Sequence, residues 1–427
     1  MKKKDIFTNG LLVLLATLLA LIATEMVLRV VPYGEKTGDL LDYRDSWRKT
    51  GLGPGGYLKE NFTGNLQDGF GGTVRWNNNS QGFRNDKDFI TPPPGNTFRI
   101  LSMGDSFTGG YRVGQYETFS FLVERKLAEK YIDQNIEVMI SVIEDPLTGL
   151  QYLASRGASY SPDLVVLGIT LGNDIAQTYW NMGPGYRLTD NDPFVEEVND
   201  RDASKKRRGE IEAQQVPPEC LTPRNPGRNN NQSGPRWSAI YPGKYPLERN
   251  SEFRVISLIS GVIQGANPDA PQTVISNWEE YYAPRLFDSN GLGIFLRSPP
   301  NEVTSAYDTL FATLLAYRKF CKPRKLKLLV VIFPQRFQVQ DQDWDKTIDV
   351  YGLRKECFDR EIPNRRIMDF CKNNNIDCLD PTKRMKELYK LGGESLYLPR
   401  HDMHWNARGH NALADALEPA INSLLMR

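Results

Sequence analysis

The chain has 427 residues, of which 40% are hydrophobic, so it is long enough for one large α/β domain with insertions or for two modest domains. This hydrophobic fraction excludes disorder of the whole chain. The 53 Lys and Arg residues nearly balance the 52 Asp and Glu residues, which leaves a formal net charge of +1. We therefore expect no nucleic-acid partner, since no overall field attracts a polyanion.

The N-terminus predicts a membrane helix. Lysines at positions 2–4 precede an uncharged, largely apolar run over residues 6–24, which is near the lower limit of what spans a bilayer. The lysines favour a cytoplasmic N-terminus, so the chain after about residue 32 is expected in the periplasm or at the cell surface. A cleaved signal peptide is the alternative, but no clear small-x-small cleavage site precedes Thr24. We expect residues 1–31 to form a single-pass anchor.

Five cysteines give an odd count, so at least one is unpaired within a monomer. None shows C-x-x-C spacing, and export permits one or two disulfides. Cys371 and Cys378 are the nearest pair in the sequence, but spacing does not assign the connectivity. The other three are Cys220, Cys321 and Cys357. We interpret all five as structural or inert.

Residues 32–97 are rich in glycine, asparagine and polar residues, and they end in the loop signal TPPPG at residues 91–95. We expect an extended lead-in without a core. The glycine-rich stretch at residues 51–56 is not interpreted as a phosphate-binding loop, because no strand precedes it and no helix follows it.

Short apolar runs alternate with helical patterns from residue 98 to the C-terminus. The runs FRILSM, IEVMISVI, DLVVLGITL, LLVVIFP and NIDCLD predict strands. Helices are predicted near residues 117–131, 150–157 and 364–374, and a last amphipathic helix spans residues 411–426. Continuous Val, Ile and Leu strands separated by helices predict an α/β fold with a doubly wound parallel sheet covered on both faces.

This rhythm breaks between about residues 180 and 300, where a charge run and a stretch rich in Pro, Asn and Gly predict a long irregular insertion that does not join the sheet. We favour a solvated surface loop. A lid over the substrate stays open as an alternative, because Trp237, Tyr241 and Tyr245 offer aromatic faces on which sugar rings stack.

Candidate catalytic residues follow two of the predicted strands and precede the last helix. Ser106 lies in Gly-Asp-Ser directly after the first strand, on a turn where nearby N–H groups can bind an oxyanion. Asn173 follows DLVVLGITL, and its amide can donate to charge on a carbonyl oxygen. A serine hydrolase needs a base near neutral pH, and the only histidines lie between positions 401 and 410. His404 has Asp402 two residues before it, so the carboxylate can orient the imidazole.

Other interpretations of the histidine segment were weighed. A metal site built from His401, His404 and Asp402 is not favoured, because H-x-x-H alone is a weak signal and no second ligand cluster supports it. His410 is interpreted as a packing or capping residue of the final helix. We expect no metal and no cofactor.

Three blocks of the sequence resemble those of SGNH (GDSL-like) hydrolases of the membrane-anchored bacterial type. RILSMGDSFTGGYRVGQYETF is similar to their serine block, YSPDLVVLGITLGND to their Gly-x-Asn-Asp block, and LYLPRHDMHWNARGHNALAD to their terminal Asp/His block. The resemblance covers residues 77–178 and 320–427 but not the insertion. It implies a flavodoxin-like three-layer sandwich.

The resemblance also implies roles for individual residues. Ser106 is the expected nucleophile, His404 its base and Asp402 the residue that orients His404. Asn173 and the Ser106 N–H are expected to form the oxyanion hole, with Gly149 as a possible third donor.

The chain departs from the family pattern in two places. One residue separates Asp402 from His404 where the family usually has two, although Asp-x-His-Trp-Asn is similar to polysaccharide O-acetyltransferases of related fold. The family's glycine block corresponds to SVIEDPLTG, in which Gly149 is the possible match. If Glu144 or Asp145 occupied the donor's place, a negative charge would oppose the oxyanion.

These features predict a serine esterase that removes an acetyl or other short acyl group from an envelope glycan. Export motivates the acylated carbohydrate as partner. Two alternatives stay open: a polysaccharide O-acetyltransferase, and a catalytically inactive carbohydrate-binding protein that keeps the fold.

Overall fold

A computed structural model describes residues 47–49, 56–68, 72–181, 215–222, 286, 291–399 and 402–426. These residues belong to one compact unit of the chain. The expected membrane anchor, most of the insertion with its three aromatic residues, and His401 lie outside the described residues. Within the described part of the chain, no helix is both long enough and apolar enough to cross a membrane.

Nine strands occur in the described residues. They are β1 (Trp47–Lys49), β2 (Gly56–Leu58), β3 (Thr63–Gln67), β4 (Thr73–Asn77), β5 (Thr97–Gly104), β6 (Asn135–Val142), β7 (Leu164–Thr170), β8 (Lys327–Phe333) and β9 (Asp377–Leu379). The last five form one parallel sheet in the order β6-β5-β7-β8-β9. This confirms the parallel sheet that the apolar runs predict.

Ten α-helices occur in the same described part of the chain. They are α1 (Ser106–Gly109), α2 (Phe119–Lys130), α3 (Pro146–Ser155), α4 (Asp174–Asn181), α5 (Asn301–Cys321), α6 (Arg336–Val339), α7 (Asp341–Tyr351), α8 (Ile362–Asn373), α9 (Thr382–Gly392) and α10 (Ala407–Leu425). The connections between consecutive parallel strands of the sheet contain α1 to α8, as crossovers require, and α9 and α10 follow β9.

The sheet is buried on both faces. All seven residues of β7 are buried, as expected for a parallel strand covered on both sides. Ile100 of β5 belongs to a core cluster with residues of α2, α9 and α10. On the opposite face, Met103 of β5 and Tyr317 of α5 both lie close to the α-carbon of Gly149 in α3. Alternate residues of one strand therefore anchor helices on opposite faces, which gives a three-layer sandwich.

The region before β5 differs from the expected extended lead-in. β3 and β4 form an antiparallel hairpin, and Leu58, Leu66 and Trp76 are buried in a small cluster with Val142 of β6. The fully buried Arg84 guanidinium stacks 4.0 Å from the Trp76 ring. The expectation of a segment without a core was wrong, because its few apolar side chains are spaced to pack on the main domain.

A disulfide joins Cys220 to Cys357 across 137 residues of sequence. It ties residues 215–222 of the insertion to the turn that follows α7, where Leu221 and Leu353 also form a bridge. Cys371 and Cys378, the nearest pair in the sequence, are not joined in this structure.

Candidate active site

The candidate nucleophile begins a short helix at the carboxyl end of β5. Asp105 caps α1, since its Oδ1 accepts the Phe107 N–H at 3.0 Å. A Cβ at Gly104 would lie 2.2 Å from Thr108 Oγ1, so only glycine lets the strand turn this tightly into the helix. The turn leaves Ser106 half-buried while its neighbours are buried. Its hydroxyl therefore stands at the edge of the domain.

Ser106 Oγ lies 2.7 Å from His404 Nε2, although 298 positions separate the two residues. The imidazole ring packs between two aromatic rings, with centroids 4.9 Å from Phe107 and 4.8 Å from Tyr111. These contacts limit rotation of the ring and keep Nε2 facing the hydroxyl.

Asp402 holds the other side of the imidazole. Its Oδ1 lies 2.6 Å from His404 Nδ1 and also accepts the His404 backbone N–H at 3.0 Å. Burial acts to raise the pKa of the Asp402 carboxyl, but the charge and hydrogen bonds of His404 and the nearby Arg112 together hold it below its ordinary value. The spacing of one intervening residue therefore still lets the carboxylate reach the ring.

The residues after His404 fix the loop that carries it. Trp405 is fully buried, with its ring 4.8 Å from Phe107 and 4.9 Å from Phe333. Asn406 caps α10 by accepting the Gly409 N–H at 3.0 Å, and it donates to the Ser395 carbonyl at 2.9 Å. The Asp-x-His-Trp-Asn segment thus combines two side chains of the site with a core anchor and a helix cap.

The structure thus brings Ser106, His404 and Asp402 together at one site. His410 lies outside this group. It is buried within α10 and accepts the Phe119 N–H at 3.2 Å, and burial lowers its pKa to about 3. It is a packing residue, as the sequence suggested.

Asn173 follows β7 next to the serine turn. Its Nδ2 donates to Asp105 Oδ2 at 3.0 Å, and Thr170 Oγ1 donates to the other Asp105 oxygen at 2.9 Å. Burial raises the pKa of Asp105 despite these hydrogen bonds. Because an amide nitrogen carries two hydrogens, Asn173 keeps one donor beyond its bond to Asp105.

Gly149 does not reach the serine turn. It lies within α3, where its N–H donates to the Asp145 carbonyl at 2.9 Å, and a Cβ would lie 2.2 Å from Ile143 Cδ1 and 2.4 Å from Tyr317 Oη. Gly149 is therefore a helix-packing glycine whose N–H is already used. Its assignment as an oxyanion donor is corrected on this geometry.

The two acids of the same segment occupy different places. Asp145 caps α3 by accepting the Leu147 and Thr148 N–H groups, and its other oxygen accepts Asn181 Nδ2 at 2.9 Å. Glu144 is half-buried and follows Ile143, whose N–H donates to the Gly104 carbonyl at 2.8 Å. Neither acid is in hydrogen-bond contact with Ser106 among the contacts of the described residues.

Sequence reasoning missed two neighbours of the histidine, Tyr111 and Arg112. Arg112 Nε lies 3.6 Å from Asp402 Oδ2, and the Tyr111 ring packs on the imidazole. Both lie just past the serine helix, inside the block that resembles the family. No pattern of residue types marks them, because the tight turn at residues 110–113 determines where they point.

No family model and no curated protein sequence matches the chain. Among solved structures it is similar to LAE5, an alpha/beta hydrolase enzyme from the metagenome of Lake Arreo in Spain, at 10% identity and a TM-score of 0.31 over 76% of this chain and 95% of that chain. It is also similar to a catalytic mutant of Axe2, an acetylxylan esterase from Geobacillus stearothermophilus, at 14% identity and a TM-score of 0.29 over 76% of this chain and 94% of that chain. Both similarities are distant, so the chemistry follows from the geometry of the site itself.

Proposed function

We propose that the chain is an exported, membrane-anchored serine esterase of SGNH type that removes an acetyl or other short acyl group from an acylated glycan of the cell envelope. The observation that carries the esterase assignment is the continuous line from Ser106 Oγ through the His404 ring to Asp402, with distances of 2.7 and 2.6 Å. A hydroxyl, an imidazole and a carboxylate in this order form an activated nucleophile. Anchoring and the glycan substrate rest on the N-terminal sequence.

In the first half of the reaction, Ser106 Oγ attacks the ester carbonyl carbon while its proton passes to His404 Nε2. The resulting imidazolium is stabilised by Asp402, and the oxyanion is bound by the Ser106 N–H and the Asn173 amide. The bond to the sugar oxygen then breaks, and that oxygen takes the proton from His404. The acyl group is left on Ser106.

In the second half, His404 takes a proton from water, and the hydroxide attacks the acyl carbon. The bond to Ser106 Oγ breaks, the serine recovers its proton from His404, and the carboxylic acid leaves. Each proton that leaves a nucleophile is returned to a leaving group, so the same imidazole serves as base and acid in both halves.

The decisive experiment replaces the nucleophile. We expect Ser106→Ala to reduce hydrolysis of p-nitrophenyl acetate by roughly 10³-fold or more and to prevent labelling by a fluorophosphonate. Ser155→Ala is the matched control, because Ser155 is exposed at the end of α3 and its hydroxyl bonds only to its own helix. Circular dichroism should show that both variants fold. Undiminished turnover in Ser106→Ala would rule out the nucleophile, and an unlabelled native chain would favour an inactive carbohydrate-binding protein.

A second candidate is a polysaccharide O-acetyltransferase, in which a sugar hydroxyl replaces water in the second half-reaction. The feature that favours it is the one-residue spacing between Asp402 and His404, followed by Trp405 and Asn406, which is similar to those enzymes. Product analysis with an oligosaccharide acceptor distinguishes the two: an esterase releases acetate at the same rate with or without acceptor, whereas a transferase acetylates the acceptor.

A further inference from the structure

The turn after the serine helix contains an unusual backbone conformation. Gly110, which ends α1, has a φ of 67°, and two residues later Arg112 has a φ of 65°. Glycine adopts this left-handed region without strain, but a long side chain rarely does. A non-glycine residue held there costs conformational energy, and such residues concentrate at functional sites.

A buried arginine, Arg84, donates hydrogen bonds to carbonyl groups of this turn. Arg84 Nη1 donates to the Gly110 carbonyl at 2.8 Å, and its Nη2 donates to the Val113 carbonyl at 2.7 Å. Arg84 is fully buried. Because these bonds fix the carbonyls on both sides of Arg112, the backbone of Arg112 is fixed in its strained conformation.

The strained backbone points the Arg112 side chain at the acid of the site. Arg112 Nε lies 3.6 Å from Asp402 Oδ2, and the two side chains are only 19% and 15% exposed. The guanidinium also lies 5.1 Å from the centroid of the Tyr111 ring, the same ring that packs on His404. Screening by water is therefore weaker than for a surface ion pair.

The two oxygens of Asp402 thus have separate partners, with His404 on Oδ1 and Arg112 on Oδ2. We infer that Arg112 is a positioning residue that holds the Asp402 carboxylate in the plane from which it orients His404. This inference rests on the proposed esterase function. It adds Arg112 as a fourth residue to the contacts that join Ser106, His404 and Asp402.

Arg112 reaches the imidazole through the carboxylate, since its charge helps to hold the pKa of Asp402 below its ordinary value. The other groups that face His404 are Asp402 of its own loop, Asp105 of the serine turn, Tyr111 and His410 of α10. His410 is neutral near pH 7, since burial lowers its pKa to about 3.

Nuclear magnetic resonance of the full-length chain with isotope-labelled histidine tests the inference directly, because the chain has only three histidines to assign. In Arg112→Gln and Arg112→Gly we expect the resonance of the His404 Nδ1 proton, which reports the contact with Asp402, to shift. We also expect kcat to fall about tenfold. Arg112→Lys keeps a cation, so both quantities should lie close to their native values.

Matched variants separate positioning from folding. Arg125→Gln is the control, since Arg125 is 58% exposed and, among the described residues, forms an ion pair only with Glu129 at 3.9 Å. Arg112→Gly removes the backbone strain together with the charge, so it should be at least as stable as the native chain while keeping the catalytic defect. A defect that followed thermal stability across the three Arg112 variants would overturn the inference.

The outcomes for Arg112 and for the proposed function are distinguishable. Normal turnover with an unshifted His404 Nδ1 resonance in Arg112→Gln overturns the positioning role alone. A native chain that neither turns over ester nor reacts with fluorophosphonate overturns the esterase proposal, whereas a shifted resonance in that case still establishes the coupling of Arg112 to His404 through Asp402.

Discussion

Asp402 and Asp174 both belong to segments that meet around the serine turn, yet their surroundings shift their pKa values in opposite directions. Asp402 is 15% exposed, has partners on both oxygens, and keeps a pKa below its ordinary value. Asp174 is fully buried, and within the described part of the chain only its Oδ2 has a hydrogen-bond partner, the Thr170 N–H at 2.7 Å. Burial and the nearby Asp105 and Asp145 carboxyls raise the pKa of Asp174 well above its ordinary value.

The difference teaches that proximity to the site does not make a carboxyl catalytic. A cation or imidazole beside a carboxyl keeps it ionised, which is what orientation of His404 requires. Burial among other acids favours the protonated form, which cannot stabilise an imidazolium. In the proposed mechanism Asp402 therefore serves the chemistry, whereas Asp174 is expected to affect stability.

The largest effect is expected from Asp402→Asn. The amide replaces an acceptor with a donor opposite His404 Nδ1, so the ring is held in the wrong tautomer, and we expect kcat to fall by roughly 10³–10⁴-fold. Steady-state hydrolysis of p-nitrophenyl acetate measures this loss.

Asp380→Asn is the matched control for that variant. Asp380 also accepts a backbone N–H two residues on, from Thr382 at 3.0 Å, but it bonds to neither of the described histidines, His404 and His410. Activity close to native in Asp380→Asn, together with the loss in Asp402→Asn, isolates the contact with the imidazole. Equal activities in the two variants would refute the role of Asp402.

A smaller effect is expected from Asp174→Asn, and it is a gain in stability rather than a loss of activity. Native Asp174 has a raised pKa in the folded state, so its contribution to stability is complete below its ordinary pKa and is lost as the pH rises through the folded value. An amide cannot ionise and avoids this loss. We expect the variant to gain roughly 1–3 kcal/mol in the free energy of unfolding at pH 8, and little at acid pH.

Urea unfolding at several pH values measures the gain. The control is Asp145→Asn, because Asp145 also has a raised pKa but both of its oxygens accept hydrogen bonds. An amide there loses an acceptor, so this variant should be less stable than Asp174→Asn at every pH. A gain for Asp174→Asn that does not depend on pH would contradict the linkage.

The smallest effect is expected for an acid on the surface. Asp415 pairs with Lys126 at 2.9 Å, with both side chains about one third exposed. Because water and salt screen such a pair, Asp415→Asn should change the free energy of unfolding by only about 0.2–1 kcal/mol and leave turnover unchanged. Urea unfolding measures this change. A loss of unfolding free energy as large as that of a core substitution would show that the stability of α10 depends on this pair.

The strands and the residues proposed to react could be predicted from the sequence. Their signals either lie within a short segment or, for the histidines, occur in one segment only. Continuous apolar runs predict parallel strands, and a glycine before Asp105 and Ser106 marks the tight turn. The histidines cluster in one segment, so the base had to come from there. The gap of 298 positions between Ser106 and His404 did not matter, since the fold class brings the carboxyl ends of the strands together.

Other features were decided by tertiary contacts. Gly149 looked like a possible oxyanion donor, but a proline at the start of α3 and the cap by Asp145 place it inside a helix. Trp76 and the hairpin before β5 gain their core only by packing on β6. The partner of Cys220 is Cys357 rather than a neighbour in sequence, because the chain returns to it after 137 residues.

The sequence by itself determined the parallel sheet, the serine turn and the histidine proposed as the base, since hydrophobic periodicity and residue chemistry are local properties of the sequence. Only the tertiary structure decided which acids have a raised or a lowered pKa and where Arg112 points. Burial, neighbouring charges and a strained turn fixed by Arg84 arise from residues far apart in the chain, so no window of sequence contains them.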